Sequence, residues 1–291
     1  MKWKGILSSI MAVADEPGGP YTATSEPLVR GADTWVEGIG NYGHHDIDPT
    51  VWIDTDEEGN EHRYLMWGNT TCYIAELNKD MVSIKDRNGD GKITIDHTGS
   101  DDHDIKYINF ANLQPGQTFT EGPWLYRRQD ENGKYYGKYY MFAAWGWAEK
   151  LGYATADDPF GPWTFENMIM ENTLTSNTNH PSVIDFKGKT YLIYHNGSLP
   201  GGNGGNRSIC IQEMTFNEDG SIDMMPDLSP GLEGTASVIQ TADNKYLGHD
   251  PVGNTQEFVV GANGSGQCVY QTDVKSYEQE SGYDTQWEWE L

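Results

Sequence analysis

Ala12-Val13-Ala14-Asp15-Glu16-Pro17-Gly18-Gly19-Pro20-Tyr21-Thr22 returns later in the chain as Ala154-Thr155-Ala156-Asp157-Asp158-Pro159-Phe160-Gly161-Pro162-Trp163-Thr164. Each copy reads as a short strand, an Asp-x-Pro turn and a Gly-Pro step into a second strand. A supersecondary unit that recurs marks a repeat architecture. A looser repeat surrounds the second copy. His45-Asp46-Ile47-Asp48-Pro49-Thr50-Val51-Trp52-Ile53 leads into Tyr64-Leu65-Met66-Trp67-Gly68. Glu121-Gly122-Pro123-Trp124-Leu125-Tyr126 leads into Tyr139-Tyr140-Met141-Phe142-Ala143, and His180-Pro181-Ser182-Val183-Ile184-Asp185 leads into Gly188-Lys189-Thr190-Tyr191-Leu192-Ile193-Tyr194. Each unit is an ionisable residue close to a proline, an apolar strand, a polar turn and an aromatic strand. That is the opening of a propeller blade, with a different ionisable side chain each time.

The same repeat reads the N-terminus. Met1-Lys2-Trp3-Lys4, an apolar stretch and Ala12-Val13-Ala14 have the outline of a secretory leader with a small-residue cleavage site. Because Ala-x-Ala-Asp recurs in mid-chain at Ala154–Asp157, these residues read instead as a strand running into a Pro-Gly turn. No apolar run reaches the roughly 20 residues of a membrane-spanning helix. Whether the chain is secreted or cytoplasmic stays open.

Composition agrees with an all-β class. Capped segments of 3.6-residue periodicity are absent, while Tyr, Trp, Thr, Val and Ile runs bounded by Gly, Asn, Asp and Pro recur throughout. The 34 glycines suit many tight turns, and 291 residues suit one large repeat domain or two small ones. Formal charge is −25, from 44 acidic and 19 basic residues, which opposes a phosphate backbone or an anionic membrane surface as partner. A neutral substrate is compatible with it. The 10 tryptophans and 17 tyrosines can stack on sugars or fill β cores, and Trp67 and Trp145 are the candidates for a sugar face. Cys72, Cys210 and Cys268 are widely spaced, with neither the pairing of a disulfide framework nor the Cys-x-x-Cys of a zinc site.

In a propeller the innermost strand of each blade lines the central channel. A residue at the start of that strand points to one channel mouth. Asp48, Glu121 and His180 hold equivalent repeat positions, so they are expected to converge although 73 (121 − 48) and 59 (180 − 121) residues separate them. Taken singly, Asp48 reads as a turn residue, Glu121 as a solvated loop carboxylate and His180 as a hydrogen-bonded core histidine. Taken together, convergent carboxylates in a cleft are the equipment for glycosidic bond cleavage, in which one carboxylic acid protonates the leaving oxygen.

His45-Asp46-Ile47-Asp48-Pro49, Glu121-Gly122-Pro123-Trp124-Leu125-Tyr126, Asn179-His180-Pro181-Ser182 and Arg207-Ser208, with the Asp-x-Pro-x-Gly-Pro turns between them, resemble glycoside hydrolase family 43 over roughly residues 5–230. The resemblance implies a five-bladed β-propeller acting on arabinosyl or xylosyl linkages with inversion, its partner an oligosaccharide or polysaccharide. It implies Asp48 as the carboxylate that raises the acid's pKa, Glu121 as the general acid and Arg207 as a substrate or cluster contact. His180 would stand near the axis, where many members hold calcium or ordered water.

The family's general base is an aspartate about one blade upstream of the Asp48 motif, which places it near or before residue 1. The propeller is therefore expected to be incomplete at its N-terminus, with a second chain as one possible source of the missing blade. Asp15 is paired with Asp157 as a turn residue, Asp46 belongs to the same blade as Asp48, and Asp250-Pro251 lacks the following apolar strand. A propeller without its base can also be a sugar-binding protein that has lost turnover.

Two further segments stand out. Asp86-Arg87-Asn88-Gly89-Asp90-Gly91-Lys92-Ile93 matches an EF-hand-type calcium loop at its first oxygen positions, with His97 in place of the bidentate Glu. The alternative is a hairpin turn, since Asn-Gly and Asp-Gly are turn dipeptides. Residues 85–117 read as an insertion between blades. Residues 1–233 are assigned to the propeller and 234–291 to a closing blade or a small β extension.

Overall fold

The computed structural model describes residues 9–31, 34, 46–56, 58–96, 103–198 and 202–227, together with four short strands between 246 and 277. Every regular element among these residues is a strand. Ala12–Val13 (β1) and Thr22–Ala23 (β2) form a small hairpin. Thr50–Thr55 (β3), Glu61–Trp67 (β4), Tyr73–Glu76 (β5) and Ile105–Tyr107 (β6) form an antiparallel sheet in chain order. Phe110–Ala111 (β7), Phe119–Gln129 (β8), Tyr135–Trp145 (β9), Lys150–Ala156 (β10) and Trp163–Met170 (β11) form a second sheet in the order β7-β11-β10-β9-β8. Ser182–Phe186 (β12), Lys189–Asn196 (β13) and Ser208–Met214 (β14) form the third. Tyr246–Gly248 (β15) pairs with Lys275–Tyr277 (β18), and Val260–Ala262 (β16) with Gly266–Cys268 (β17).

These are blade meanders, and the repeat read from the sequence is a repeat in space. The two Asp-x-Pro-x-Gly-Pro segments make the same turn. Gly19 N–H donates to Glu16 O at 2.9 Å and Gly161 N–H to Asp158 O at 2.8 Å. Their φ values are 84° and 89°, in the left-handed region that favours glycine.

Residues 85–117 are more than an insertion. β6 is the outer strand of the first sheet, with Ile105 buried opposite Ala75. β7 then runs parallel to β11 at the outer edge of the next sheet. The segment thus ties two blades together. The turn dipeptides masked this, because both strands are short.

Period-two alternation sorts the strand residues of β9 into two cores. Tyr139, Met141, Ala143 and Trp145 face the first sheet and pack with Met66, Ile74 and Phe165. Tyr140 and Phe142 face the third sheet and pack with Tyr126, Tyr153 and Leu192. A strand covered on both faces is apolar at every position, which is why β9 reads as a continuous run. An ion pair crosses between blades beneath this core. Arg127 Nη1 donates to Asp54 Oδ2 at 2.9 Å, and the Tyr139 hydroxyl donates to the same oxygen.

The expectations for Asp250, His97 and most of 234–291 lie outside the described residues.

Candidate active site

β3, β8 and β12 are each an edge strand of their sheet, and β8 packs against both of the others. Asp48 stands just before β3, Glu121 near the start of β8 and His180 just before β12. The three side chains meet there, with one ligand atom from each lying within 4.8 Å of the others. His180 Nε2 is 2.7 Å from Glu121 Oε1 and 3.8 Å from Asp48 Oδ2.

Local backbone features make this approach possible. Asp48 has φ 56°, a left-handed conformation that aspartate tolerates better than most residues. Gly122 has φ 64°, and a Cβ there would lie 3.1 Å from the His180 ring. A glycine beside Glu121 therefore lets the imidazole reach the carboxylate. Asn69, in the turn between β4 and β5, donates its side-chain amide to Glu121 Oε2.

A cavity of about 360 Å³ opens beside the cluster, lined among others by Asp48, Trp124, His180, Tyr194 and His195. Both ring nitrogens of His195 are buried without a hydrogen-bond partner among the described residues, as is Asp48 Oδ2. Buried polar atoms of this kind are ordinarily satisfied by protein, water or ligand. They give the cavity donors and acceptors suited to hydroxyl groups.

A fourth carboxyl completes the cluster. Glu149 precedes β10 and is 1 % exposed. Its Oε2 accepts the Asn179 N–H at 2.7 Å, its own N–H donates to Asn177 O at 3.1 Å, and it lies close enough to Glu121 for the two carboxyls to influence each other.

The electrostatics divide the four groups. Burial is the largest influence on Glu149 and raises its pKa to about 7, with the Glu121 charge adding and the Asn179 amide opposing. Burial also works against ionising Glu121. Its hydrogen bond with His180 and the His180 charge, with Asn69 and Glu149, outweigh burial and hold it at about 2. Asp48 is raised, first by burial and then by Glu121, against His180 and Arg207. Burial opposes protonation of His180, but Glu121, Asp48 and Glu149 together raise it. Burial, Arg207 and His180 lower His195 to about 3, which leaves it neutral.

Several sequence expectations need correction. Asp48 was expected to push the Glu121 pKa up. In the free protein the like-charge effect falls on Asp48 and Glu149 instead, because His180 sits against Glu121. Trp67 and Trp145 are both 0 % exposed and cannot stack on a sugar. Trp67 Nε1 donates to Asp46 Oδ1 at 2.8 Å, and Trp145 packs on Phe165 with ring centroids 4.7 Å apart. Asp46 is buried and also accepts the Thr34 hydroxyl at 2.6 Å, so its carboxylate serves the fold rather than acting as a base.

His180 was expected as a metal-side residue. His180 and the two carboxylates present one ligand atom each within 4.8 Å, an arrangement able to hold a metal ion, and Nε2 is also at hydrogen-bonding distance from Glu121. Arg207 lies close enough to influence both Asp48 and His195, while its Nε donates to Gly204 O at 2.9 Å.

In the loop at Asp86, both carboxylate oxygens accept backbone amides, from Gly89 at 2.7 Å and Gly91 at 2.6 Å. Asn88 Oδ1 accepts from Asp90 and Asp90 Oδ1 from Lys92, each at 2.9 Å.

Sequence reasoning missed Asn69, Glu149, His195 and Trp147. Glu149 stands next to a lysine in a polar turn, which reads as solvated charge. Trp147 is 73 % exposed in the same turn and is the only tryptophan exposed to this degree among the described residues.

Comparison with known proteins agrees with this geometry. The chain is 27 % identical over 237 residues to a xylosidase/arabinosidase of Bacteroides ovatus, covering 73 % of this chain and 63 % of that protein. It is 30 % identical over 228 residues to a β-D-galactofuranosidase of Aspergillus niger, covering 75 % of this chain and 55 % of that one. The chain thus spans less than two thirds of the length of these relatives. Among solved structures it is similar to CoXyl43, a β-xylosidase/α-arabinofuranosidase from a compost microbial metagenome, determined with xylotriose in a calcium-free form. The TM-score is 0.53 at 26 % identity, over 75 % of this chain and 65 % of that one. The model of the family described as glycosyl hydrolases family 43 matches residues 4–222. With its blade meanders and a carboxylate–histidine cluster at their strand starts, this chain belongs to glycosyl hydrolase family 43, and its fold is the all-β propeller type of that family, with three blade sheets among the described residues.

Proposed function

We propose that the chain carries the acid half of a glycosidase site for xylosyl or arabinofuranosyl linkages in plant cell-wall polysaccharides or their oligosaccharides. The observation that carries the reading is the convergence of Asp48, Glu121 and His180 within 4.8 Å at three strand starts beside a hydroxyl-compatible cavity. Glu121 delivers a proton to the leaving oxygen, and Asp48 faces it as a partner carboxylate. The spacing is below the roughly 6.5–9.5 Å that leaves room for an attacking water between acid and base in an inverting site. Asp48 is therefore assigned to the acid's side, and the inverting base is a separate group not identified among the described residues. Arg207 is assigned to holding substrate or the acidic cluster, and His195 to a substrate hydroxyl.

The test is hydrolysis of aryl β-xyloside and aryl α-arabinofuranoside beside calorimetric binding of xylotriose. Turnover supports the glycosidase. Binding without turnover supports a propeller that recognises sugar and lacks the base. The absence of both sinks the reading.

Trp147 is assigned as the sugar-facing aromatic in place of the two buried tryptophans. A ring face contributes about 0.5–1.5 kcal/mol in a well-formed contact. Trp147→Ala is expected to weaken xylotriose binding roughly two- to tenfold on that scale, with no loss of thermal stability. Unchanged affinity would remove Trp147 from the site.

Calcium is assigned to the loop at Asp86, Asn88 and Asp90, whose side chains offer the oxygen donors a hard cation takes. Gly91, at φ 82°, stands at the bend. Bound calcium would brace the loop joining the first two blades. Calcium is expected to raise the melting temperature of the wild type and not of Asp90→Ala. An equal response in both proteins would mean that any calcium binds elsewhere.

A further inference from the structure

Gly68-Asn69-Thr70-Thr71 is the turn from β4 into β5, and it bridges the Asp48 motif of the first sheet and the Glu121 motif of the second. Its contacts strap it there. The Gly68 N–H donates to Ile47 O at 2.9 Å, one residue before Asp48. The Thr70 N–H donates to Thr120 O at 2.7 Å, one residue before Glu121. Between these straps the Asn69 side-chain amide donates to Glu121 Oε2, while His180 Nε2 meets Oε1. The line continues past Glu121. The Thr120 hydroxyl donates to Gly146 O at 2.9 Å, and the Gly146 N–H donates to Thr118 O at 2.8 Å. Gly146 opens the turn that carries Trp147. One hydrogen-bonded row thus runs from Ile47 through the Asn69 turn and the start of β8 to the Trp147 turn.

The turn holds a conformation that its own sequence does not favour. Thr70 has φ 59°, and a β-branched residue in the left-handed region is a genuine outlier. Gly68 has φ 135°, and a Cβ there would overlap Thr71 O, so this tight closure admits only glycine. A strained residue persists where its surroundings over-determine it, and such an outlier motivates a functional reading. Here the surroundings are the two backbone straps. We propose that the Gly68–Thr70 turn is a positioning element spanning two blades: its backbone sets the gap between Asp48 and Glu121, and Asn69 is the positioning residue that holds the Glu121 carboxyl in one rotamer. This rests on the reading of Glu121 as the acid.

A carboxyl on a flexible side chain donates a proton efficiently only when it is aimed at the leaving oxygen. Asn69 and His180 pin its two oxygens, one each. Backbone N–H groups make the straps to Ile47 and Thr120, and the Thr70 hydroxyl closes the turn on Asn69 O at 2.7 Å. Exchanging the Asn69 side chain therefore leaves the turn in place and removes its contact to Glu121. Asn69 is half-buried in a turn, so the exchange opens no core cavity. Positioning is thereby separable from folding.

The experiment uses the full chain as wild type, Asn69→Ala and Asn69→Leu. Leucine keeps the size of asparagine and cannot donate a hydrogen bond. Both variants are expected to lower kcat on unactivated xylo-oligosaccharides roughly 10- to 100-fold, the scale of a misaimed group, with little change in KM. On a dinitrophenyl glycoside, whose leaving group needs no proton, they should match wild type. Equal losses on both substrates would overturn the proposal, because a merely structural role moves both alike. So would a wild-type kcat for Asn69→Leu on the unactivated substrate. Crystal structures of wild type and Asn69→Ala form the arm that needs no turnover. Glu121 should hold one rotamer in wild type and shift or spread over several in the variant, with the Gly68 and Thr70 straps intact. A Glu121 carboxyl that stays in place in Asn69→Ala would overturn the proposal. A Glu121 that moves, in a protein whose wild type shows no hydrolysis, upholds the positioning role and ends the acid reading.

Discussion

Glu121→Gln is expected to lower hydrolysis of unactivated xylo-oligosaccharides by about 10²–10⁴-fold, the usual contribution of one general acid. Glutamine matches glutamate in shape, and its one carbonyl oxygen can still accept from Asn69 while its amide donates to Nε2 of a neutral His180, so the cluster should persist. What it loses is the proton for the leaving oxygen. The deficit should therefore shrink for a dinitrophenyl glycoside, whose leaving group departs without protonation. A second readout does not depend on turnover. Glu121 supplies the hydrogen bond and part of the charge that raise the His180 pKa. In Glu121→Gln that pKa should fall toward the ordinary 6.5, and imidazole NMR reports it. Equal losses on activated and unactivated substrates would show that Glu121 acts otherwise than as an acid. An unshifted His180 would show that the 2.7 Å contact is not maintained in solution.

Trp145→Ala is expected to destabilise the fold by about 3–5 kcal/mol, the range for deleting a large aromatic from a packed core. Its ring is fully buried against Phe110, Phe119 and Phe165, from three strands of the second sheet. Its Nε1 has no partner among the described residues, so no hydrogen bond is lost to complicate the comparison. Urea denaturation measures the change. A loss below about 1 kcal/mol would mean that the site collapses around the truncated residue. The contrast with Trp147→Ala is the informative part. The two residues are neighbours in sequence, yet one should act on stability and the other on sugar binding.

That contrast shows what was legible in the chain. Repeat spacing placed Asp48, Glu121 and His180 together because equivalent positions in a repeat fold occupy equivalent positions in space. The Asp-x-Pro-x-Gly-Pro copies predicted the same turn twice, because glycine in the left-handed region and proline after it leave the backbone few alternatives. Alternation and aromatic runs predicted strands covered on two faces. In each case a local rule, set by covalent geometry or by a short repeat, is sufficient.

Burial and electrostatic surroundings were not legible. Trp67, Trp145 and Trp147 are chemically identical, and only the packing of neighbouring sheets decides which ring meets solvent. Glu149 resembles any turn glutamate until β8 and the Asn179 turn close over it. The Glu121 pKa depends on what its carboxylate meets, and His180 Nε2 stands 2.7 Å from it. Desolvation and Coulomb interactions are set by distances between residues far apart in the chain. The repeat therefore determined which groups meet, and tertiary packing decided which of them are buried and which charges they face.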